Sequence, residues 1–363
     1  MPRTKGIILY DFLQVPGGAE RVTLLLARAF PEFDLCVGAR NHGVIPDGEM
    51  VGLKCIELGS IAQSPAWRAL KTMRLFHSRT AFLSRYEIVL YSGVYAPVAV
   101  HHHEGHNILY CHTSPLRFAY DLKGYYFAQC PWWQKPAFQA LIAYSKPRYE
   151  AAIAKMDLVI ANSESVARKY RHYLGQETIV IYPPCEVEQF SWQGQGNYYL
   201  SLARLEPHKR VDVIVQAFLQ MPDKCLVVVS EGSDLPRLRY MAEGASNIHF
   251  MGWPRQDQLQ ALLGHAIATL YIPKDEDFGM SPVESMAAGK PVIGVAEGGL
   301  LETIIDGETG LFITPEPTPM DIISAVQTLT PKRALEMREA CERQAQRFNK
   351  EIFLEKMGTV LKY

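Results

Sequence analysis

Short apolar runs alternate with helical patterns almost throughout the chain, which predicts parallel sheets covered by helices. In the first half, strands are expected at Ile7–Tyr10, Leu35–Gly38, Ile88–Tyr91, Ile108–Cys111, Leu158–Asn162 and Ile179–Tyr182. Tyr182-Pro183-Pro184-Cys185 and a polar stretch through Gly194-Gln195-Gly196 then interrupt the rhythm. Paired prolines stop a regular element and the glycines loosen the chain after them, so a domain boundary is expected there. The second half restarts with strands at Tyr198–Leu202, Leu226–Ser230, Ile248–Met251, Ala268–Ile272, Val292–Val295 and Leu311–Ile313. Its helices are expected at Val211–Leu219, Leu235–Met241, Gln256–Leu263, Pro282–Ala288 and Met320–Thr328. The stretch from Lys332 to Tyr363 reads as helix alone. Two Rossmann-like halves joined by a Pro-rich hinge suit a ligand held in a cleft between them.

The chain has 363 residues, enough for about two domains at roughly 150 residues each. Hydrophobic residues make up 48% and charged residues 21%, which excludes disorder and low complexity as whole-chain descriptions. A net charge of -1 argues against a globally basic nucleic-acid binder. The seven cysteines are odd in number and none is spaced Cys-x-x-Cys. Buried reduced thiols are therefore expected, rather than a disulfide framework or a zinc ribbon. No apolar run approaches a membrane span. The N-terminal run after Arg3 and Lys5 stops at Asp11, too short for a signal peptide, and reads as a first strand.

Five segments carry candidate chemistry. Tyr271 to Glu284 reads strand, loop, helix, with Glu276 and Glu284 separated by seven residues around Phe278-Gly279-Met280-Ser281. Ser281 suits an N-cap and Pro282 the first helical position. Amides at that helix start can hold an anion or sugar hydroxyls. Ser281-x-x-Glu284 is also a capping box, which would bind Glu284 back to the N-cap amide. In Leu202 to Arg210, Arg204 and Lys209 stand five apart across a proline turn, a pair of cations suited to a diphosphate or a basic surface loop. Val15-Pro16-Gly17-Gly18-Ala19-Glu20 and Glu297-Gly298-Gly299-Leu300-Leu301-Glu302 are Gly-rich turns into helices, where backbone amides can approach a phosphate. In Tyr110 to Pro115, His112 lies just past a strand end. Asp275-Glu276-Asp277 fits an Asp-x-Asp metal pattern, but the Arg204/Lys209 pair already supplies positive charge, so no metal is expected.

Taken together, these segments resemble the glycosyltransferases of the GT-B fold, specifically the retaining family four, glycosyl transferases group one. The likeness covers nearly the whole chain and is tightest from Tyr198 to Ile313. It rests on the two glutamates around a Phe-Gly, the Gly-Gly-Ala-Glu segment, the Arg…Lys pair, Asn162-Ser163 at a strand end and the Tyr182-Pro183-Pro184 hinge. The resemblance implies an α/β GT-B architecture. Its acceptor-binding domain would span 1–183, its nucleotide-sugar-binding domain 184–345, and a helix over 346–363 would cross back to the first domain. It implies that Arg204 and Lys209 neutralise the donor diphosphate, that Phe278, Gly279, Met280 and Ser281 contact donor sugar and phosphate, and that Glu284 bonds the ribose. Glu276 would bond the transferred sugar and His112 a sugar hydroxyl near the reaction centre. Gly17 and Gly18 would leave room for the phosphate, and Trp253, with Ser230-Glu231-Gly232, would flank the base. The crowded charge of Lys274-Asp275-Glu276-Asp277 departs from the family's usual loop.

The expected activity is transfer of a hexose from a nucleotide-sugar donor to a glycan or lipid-linked glycan acceptor, with retention and without a cofactor, in surface polysaccharide biosynthesis. His112 to Asp121 looks like the corresponding stretch of O-antigen mannosyltransferases and points to GDP-mannose. A UDP-sugar donor, or a same-fold epimerase or hydrolase, is the alternative. Trp67 to Arg85 carries Arg68, Lys71, Arg74, Arg79 and Arg85 with no acidic residue, beside Trp67, Leu70, Met73 and Phe76 at helical spacing. Such a face either is solvated or lies on anionic lipid, giving a cytoplasmic protein with peripheral contact at the cytoplasmic face of the membrane.

Overall fold

The computed structural model describes residues 4–14, 17–60 and 65–362, leaving Arg3 and the Val15-Pro16 part of the first Gly-rich segment outside. The chain divides into two units, Met1–Tyr182 with Leu354–Tyr363, and Pro183–Phe353.

Among the described residues, the first unit holds a seven-stranded sheet. Its strands are β1 Thr4–Leu13, β2 Phe33–Arg40, β3 Cys55–Glu57, β4 Tyr86–Tyr91, β5 His106–Cys111, β6 Leu158–Ala161 and β7 Ile179–Val180. All pairings are parallel, in the order β3-β2-β1-β4-β5-β6-β7. The sequence pattern does not predict β3, because three edge residues, none of them buried, make no apolar run. The period-2 alternation of a strand sends Ile7, Leu9, Val89, Tyr91, Leu109 and Cys111 to one face. They pack there with residues of α2 Pro65–Ser78, α4 Lys135–Ile153 and α5 Glu164–Leu174; α1 Gly18–Ala29 and α3 Lys123–Gln129 complete the helices.

The second unit repeats the plan with β8 Tyr198–Ser201, β9 Cys225–Val229, β10 Ile248–Gly252, β11 Thr269–Tyr271, β12 Val292–Val295 and β13 Gly310–Ile313. Its order is β10-β9-β8-β11-β12-β13, again all parallel. The helices are α6 Val211–Leu219, α7 Leu235–Met241, α8 Gln256–His265, α9 Met280–Ala287, α10 Leu300–Thr303, α11 Pro319–Thr328, α12 Pro331–Glu336 and α13 Arg338–Gln346. Helix α14, Lys350–Val360, begins in this unit and ends in the first. Ile214, Phe218, Val283, Met286, Ile322 and Val326 fill the core. Lys290 is buried, and its Nζ donates to the Gly194 carbonyl at 2.7 Å; the Trp192 ring lies 5.4 Å from that Nζ and 4.4 Å from the Arg338 guanidinium. Burial lowers its pKa to about 8.

The α/β class expected from the sequence is the one found, two parallel Rossmann-like sheets. None of the seven cysteines forms a disulfide; Cys36, Cys111, Cys185 and Cys341 are buried and the other three half-buried. Among the described residues no helix is long and apolar enough to cross a membrane.

Candidate functional site

In an open parallel sheet, ligands gather at the carboxyl ends of the strands where the strand order reverses. In the second unit that point lies between β8 and β11. The loop after β8 brings Lys209 and the loop after β11 brings Glu276, and the two meet, Nζ to Oε2 at 2.6 Å. The side chains are 14% and 18% exposed, so the pair is largely shielded from water and stronger than a surface ion pair. Tyr271 Oη donates to the same Oε2 at 3.1 Å. Burial, then the Glu276 charge, pushes that phenol well above its ordinary range, so it remains a donor. Both bonds land on Oε2, and among the described residues Oε1 has none. Arg204 is exposed, and its charge is felt at Tyr271, whose ring also lies 5.7 Å below Lys209 Nζ. Lys209 thus lies over the Tyr271 ring with its head turned to Glu276.

Main-chain bonds fix the loop that carries Glu276. Lys274 N donates to the His208 carbonyl at 2.8 Å, and Gly299 N to the Glu276 carbonyl at 2.8 Å. Asp275, at φ 49, donates its amide to Glu297 Oε1 at 3.0 Å. Gly298 has φ 62, and a Cβ there would lie 2.3 Å from the Glu276 carbonyl oxygen; one on Gly299 would lie 2.4 Å from Asp277 O. The second Gly-rich segment therefore serves as a close-packed support beneath residues 276–278. Phe278 is buried and meets Phe348 edge-on at 5.4 Å. No group of three or more His, Cys, Asp or Glu among the described residues is placed to hold a metal ion.

Helix α9 starts two residues earlier than the sequence predicts. Gly279, at φ 92, is the N-cap, so Met280 and Ser281 lie inside the helix. A glycine reaches that left-handed conformation without the Cβ penalty that Ser281 would meet there. The Ser281-x-x-Glu284 capping box is consequently not formed in that register. Glu284 is the fifth helical residue rather than part of the first turn, and it is 7% exposed. The amides of the first turn of α9 have no intrahelical acceptor and carry the positive end of the helix dipole. On the far side of β8, Ser230 N donates to Gly252 O at 2.6 Å and Leu205 N to Glu231 O at 3.0 Å. These bonds lace the loops after β8, β9 and β10 together, with Trp253 beside them 53% exposed.

The first unit's reversal point lies between β1 and β4. Gly17 caps α1 and, with Gly18, is half-buried there. Asp11, near the end of β1, is buried and accepts from the amides of Val94 (2.6 Å), Tyr95 (2.9 Å) and Ala96 (2.8 Å). Burial raises its pKa to about 6 even though the amides favour the anion. His112, past β5, contacts Ser92 Oγ through Nε2 at 2.7 Å; Ser92 contacts Thr23 Oγ1 at 2.9 Å; Thr23 donates to the Ala19 carbonyl at 2.9 Å. Each hydroxyl has one proton. The arrangement that makes all three bonds runs Nε2–H to Ser92, Ser92 to Thr23, Thr23 to Ala19, which leaves Nδ1 as an acceptor. Burial lowers the imidazole pKa to about 3, so it is neutral. Asn162 Nδ2 donates to the His112 carbonyl at 2.8 Å, and Ser163 caps α5 through Val166 N.

Thus Lys209, Glu276 and Gly279 to Glu284 gather at one strand edge of the second unit, with Arg204 and Trp253 on neighbouring loops. His112, Gly17 and Gly18 belong to the first unit. Sequence reasoning missed Asp11, Ser92 and Thr23. Asp11 and Ser92 are polar residues in or beside otherwise apolar strands, a signal open to notice.

The two parallel sheets with their strand-order reversals place the chain among Rossmann-type α/β proteins, and the comparisons specify the fold further. Residues 186–348 match the family Glycosyl transferases group 1. The alpha-1,3/1,6-mannosyltransferase ALG2 of Mus musculus is 23% identical over 83% of this chain and 82% of its own. That of Rhizomucor pusillus is 48% identical over 47% of this chain and 51% of its own. An uncharacterized glycosyltransferase of Methanocaldococcus jannaschii is 26% identical over 57% of this chain. The chain spans about half to three fifths of the length of the first curated relatives it matches, 59% and 49%. Among solved structures, HepE of Anabaena in complex with UDP and glucose superposes with a TM-score of 0.76 at 17% identity, covering 99% of both chains. WaaG, a glycosyltransferase involved in lipopolysaccharide biosynthesis, gives 0.74 at 13% identity, over 98% of this chain and 99% of its own. These likenesses establish the GT-B fold.

Proposed function

We propose that the protein is a retaining glycosyltransferase that moves a hexose from a nucleotide-sugar donor to a glycan or lipid-linked glycan. The observation that carries this reading is the Lys209–Glu276 pair at the β8/β11 switch point, 2.6 Å long and braced by two neighbouring loops. Breaking a sugar–phosphate bond builds negative charge on the leaving diphosphate. Lys209, Arg204 and the first-turn amides of α9 are the groups that meet it. Glu276, held through Oε2, offers Oε1 to a hydroxyl of the transferred sugar. Glu284, in the second turn of α9, takes the ribose hydroxyls. Phe278, Gly279, Met280 and Ser281 line the donor, and Trp253 flanks the base. In the other unit, neutral His112 accepts from a sugar hydroxyl, with Gly17 and Gly18 giving the phosphate room. No side chain here is offered as a covalent nucleophile. Retention comes from same-face attack in which the leaving phosphate takes the acceptor's proton.

The mannosyltransferase names of the ALG2 relatives support mannose as the sugar. The stretch from His112 to Asp121 supports GDP-mannose, and a UDP-sugar is the competing donor. The product is a surface polysaccharide, and the chain works in the cytoplasm, in peripheral contact with anionic membrane through the basic face of α2. A thermal-shift panel of UDP, GDP, ADP and their sugars tests the donor, because a ligand at a hundred times its Kd adds about 2.7 kcal/mol of stability. Stabilisation by GDP and GDP-mannose, with transfer that survives EDTA, is the expected result. Stabilisation by UDP alone moves the donor to a UDP-sugar. Release of free sugar or epimer without an acceptor overturns the transferase reading.

A further inference from the structure

Helix α2 buries one side and leaves the other open. Ala69, Thr72, Met73 and Phe76 are buried, while Trp67, Lys71, Arg74 and Ser78 share the opposite face at three- and four-residue spacing. With Leu75 and Arg79 these residues line a hollow of about 310 Å³. Three of the six lining residues are cations, and among the described residues none is paired with a carboxylate. Two are instead held by neutral oxygens: Lys71 Nζ donates to Ser60 Oγ at 2.8 Å, and Arg79 Nη1 to the Leu58 carbonyl at 2.8 Å. Elsewhere in the chain, arginines find acids: Arg40 meets Asp47 and Glu57, Arg237 meets Asp234 and Asp212, and Arg338 meets Glu342. The α2 hollow therefore keeps its positive charge, partly pre-oriented, in a concave wall. Trp67, 61% exposed, borders it.

The geometry points to a phosphate-ester site on α2. Guanidinium groups offer forked donors matched to phosphate oxygens, and the ammonium of Lys71 adds a point charge. The indole gives the carbon skeleton of the ester an apolar surface, and the hollow lies at the small end of ligand sites, the size of a headgroup. Phosphate esters reach such a site from a phospholipid headgroup or from a soluble phosphorylated molecule. The inference stands on the hollow itself; it rests on the proposed membrane contact only in naming a headgroup as one source.

The test measures binding of the whole protein to glycerol 3-phosphate in solution, and to phosphatidylcholine vesicles with and without phosphatidylglycerol. The site variant is Lys71→Gln/Arg74→Gln, which spares the Arg79–Leu58 contact. The charge-matched control is Arg239→Gln/Lys332→Gln in the second unit. Loss of roughly 25-fold in affinity is expected for the site variant, about fivefold for each basic side chain removed near an anionic surface, with the control unchanged. Binding of glycerol 3-phosphate assigns the soluble source; binding to phosphatidylglycerol vesicles alone assigns the headgroup. Equal losses in site variant and control overturn the site but leave a diffuse membrane contact. A wild type that binds neither probe overturns both. None of these outcomes bears on the donor reading, which the nucleotide panel tests separately. Trp67→Ala supplies a second variant that removes no charge and is expected to weaken glycerol 3-phosphate binding.

Discussion

At the β8/β11 switch point of one unit, a lysine and a glutamate share a bond of 2.6 Å beside an exposed arginine. At the β1/β4 switch point of the other, the groups in line are an imidazole and two hydroxyls, with a carboxylate folded away onto three amides. The topology is the same, and both positions are strand ends in a parallel sheet. The first holds its charges as a compact pair, which in the proposed reaction faces the leaving diphosphate. In the second, burial pushes the His112 imidazole pKa down to about 3, so in the proposed reaction it offers hydrogen-bond direction rather than charge. The difference shows that a Rossmann edge does not determine electrostatics; the residues that leave each strand do.

The largest expected effect falls on the charged edge. Lys209→Ala is expected to lower kcat by roughly 10²–10³, the scale of one preorganised electrostatic contact, with a smaller change in donor KM. Steady-state kinetics that change KM alone would remove Lys209 from leaving-group stabilisation. Next is Gly298→Ala, which puts a methyl group 2.3 Å from the Glu276 carbonyl at a φ of 62. It is expected to destabilise the second unit by about 2–4 kcal/mol, combining overpacking with left-handed strain. A denaturation midpoint equal to wild type would show the support to be dispensable.

The neutral edge responds to pH. The folded pKa of His112 is depressed to about 3, against about 6.5 unfolded. Between those values the unfolded chain takes a proton that the folded one does not, so stability falls as pH drops below 6.5. His112→Gln is expected to remove that slope, at most about 1.4 kcal/mol per pH unit. Asp11 acts with the opposite sign: its raised pKa, about 6, gives a contribution present below about 4 and lost as pH rises through 6. The His112→Gln comparison isolates the histidine because Asp11 is common to both proteins. Identical pH profiles for the two would mean that His112 titrates normally. The smallest effect is expected for Ser92→Ala, which removes the acceptor for Nε2–H and costs about 0.5–1.5 kcal/mol. Nitrogen chemical shifts of His112 should report the Nε2–H tautomer in wild type and a mixture in the variant; a wild type protonated at Nδ1 refutes the proton order.

Much of the fold is legible in the sequence because strand and helix periods are local. Val211–Leu219, Leu235–Met241 and Val292–Val295 match the structure to the residue. The start of α9 does not, because the choice between Gly279 and Ser281 as cap depends on a positive φ imposed by the braced loop before it. That single shift turns Glu284 from a capping partner into a buried residue of the second turn. The role of Gly298-Gly299 is equally hidden, since it is defined by residues 276–278, more than twenty positions away. Ser92 and Thr23 meet across 69 positions, and no spacing rule reaches that far.

The pressed contact between Gly298 and the Glu276 main chain also offers a diagnostic for other chains of this architecture. A chain that keeps both glutamates but carries a larger residue at the place of Gly298 has no room for this loop path. Its first glutamate must stand elsewhere, and a motif search that counts only the two acids would score it as intact. Checking the glycine separates chains that have the letters of the motif from those that have its geometry.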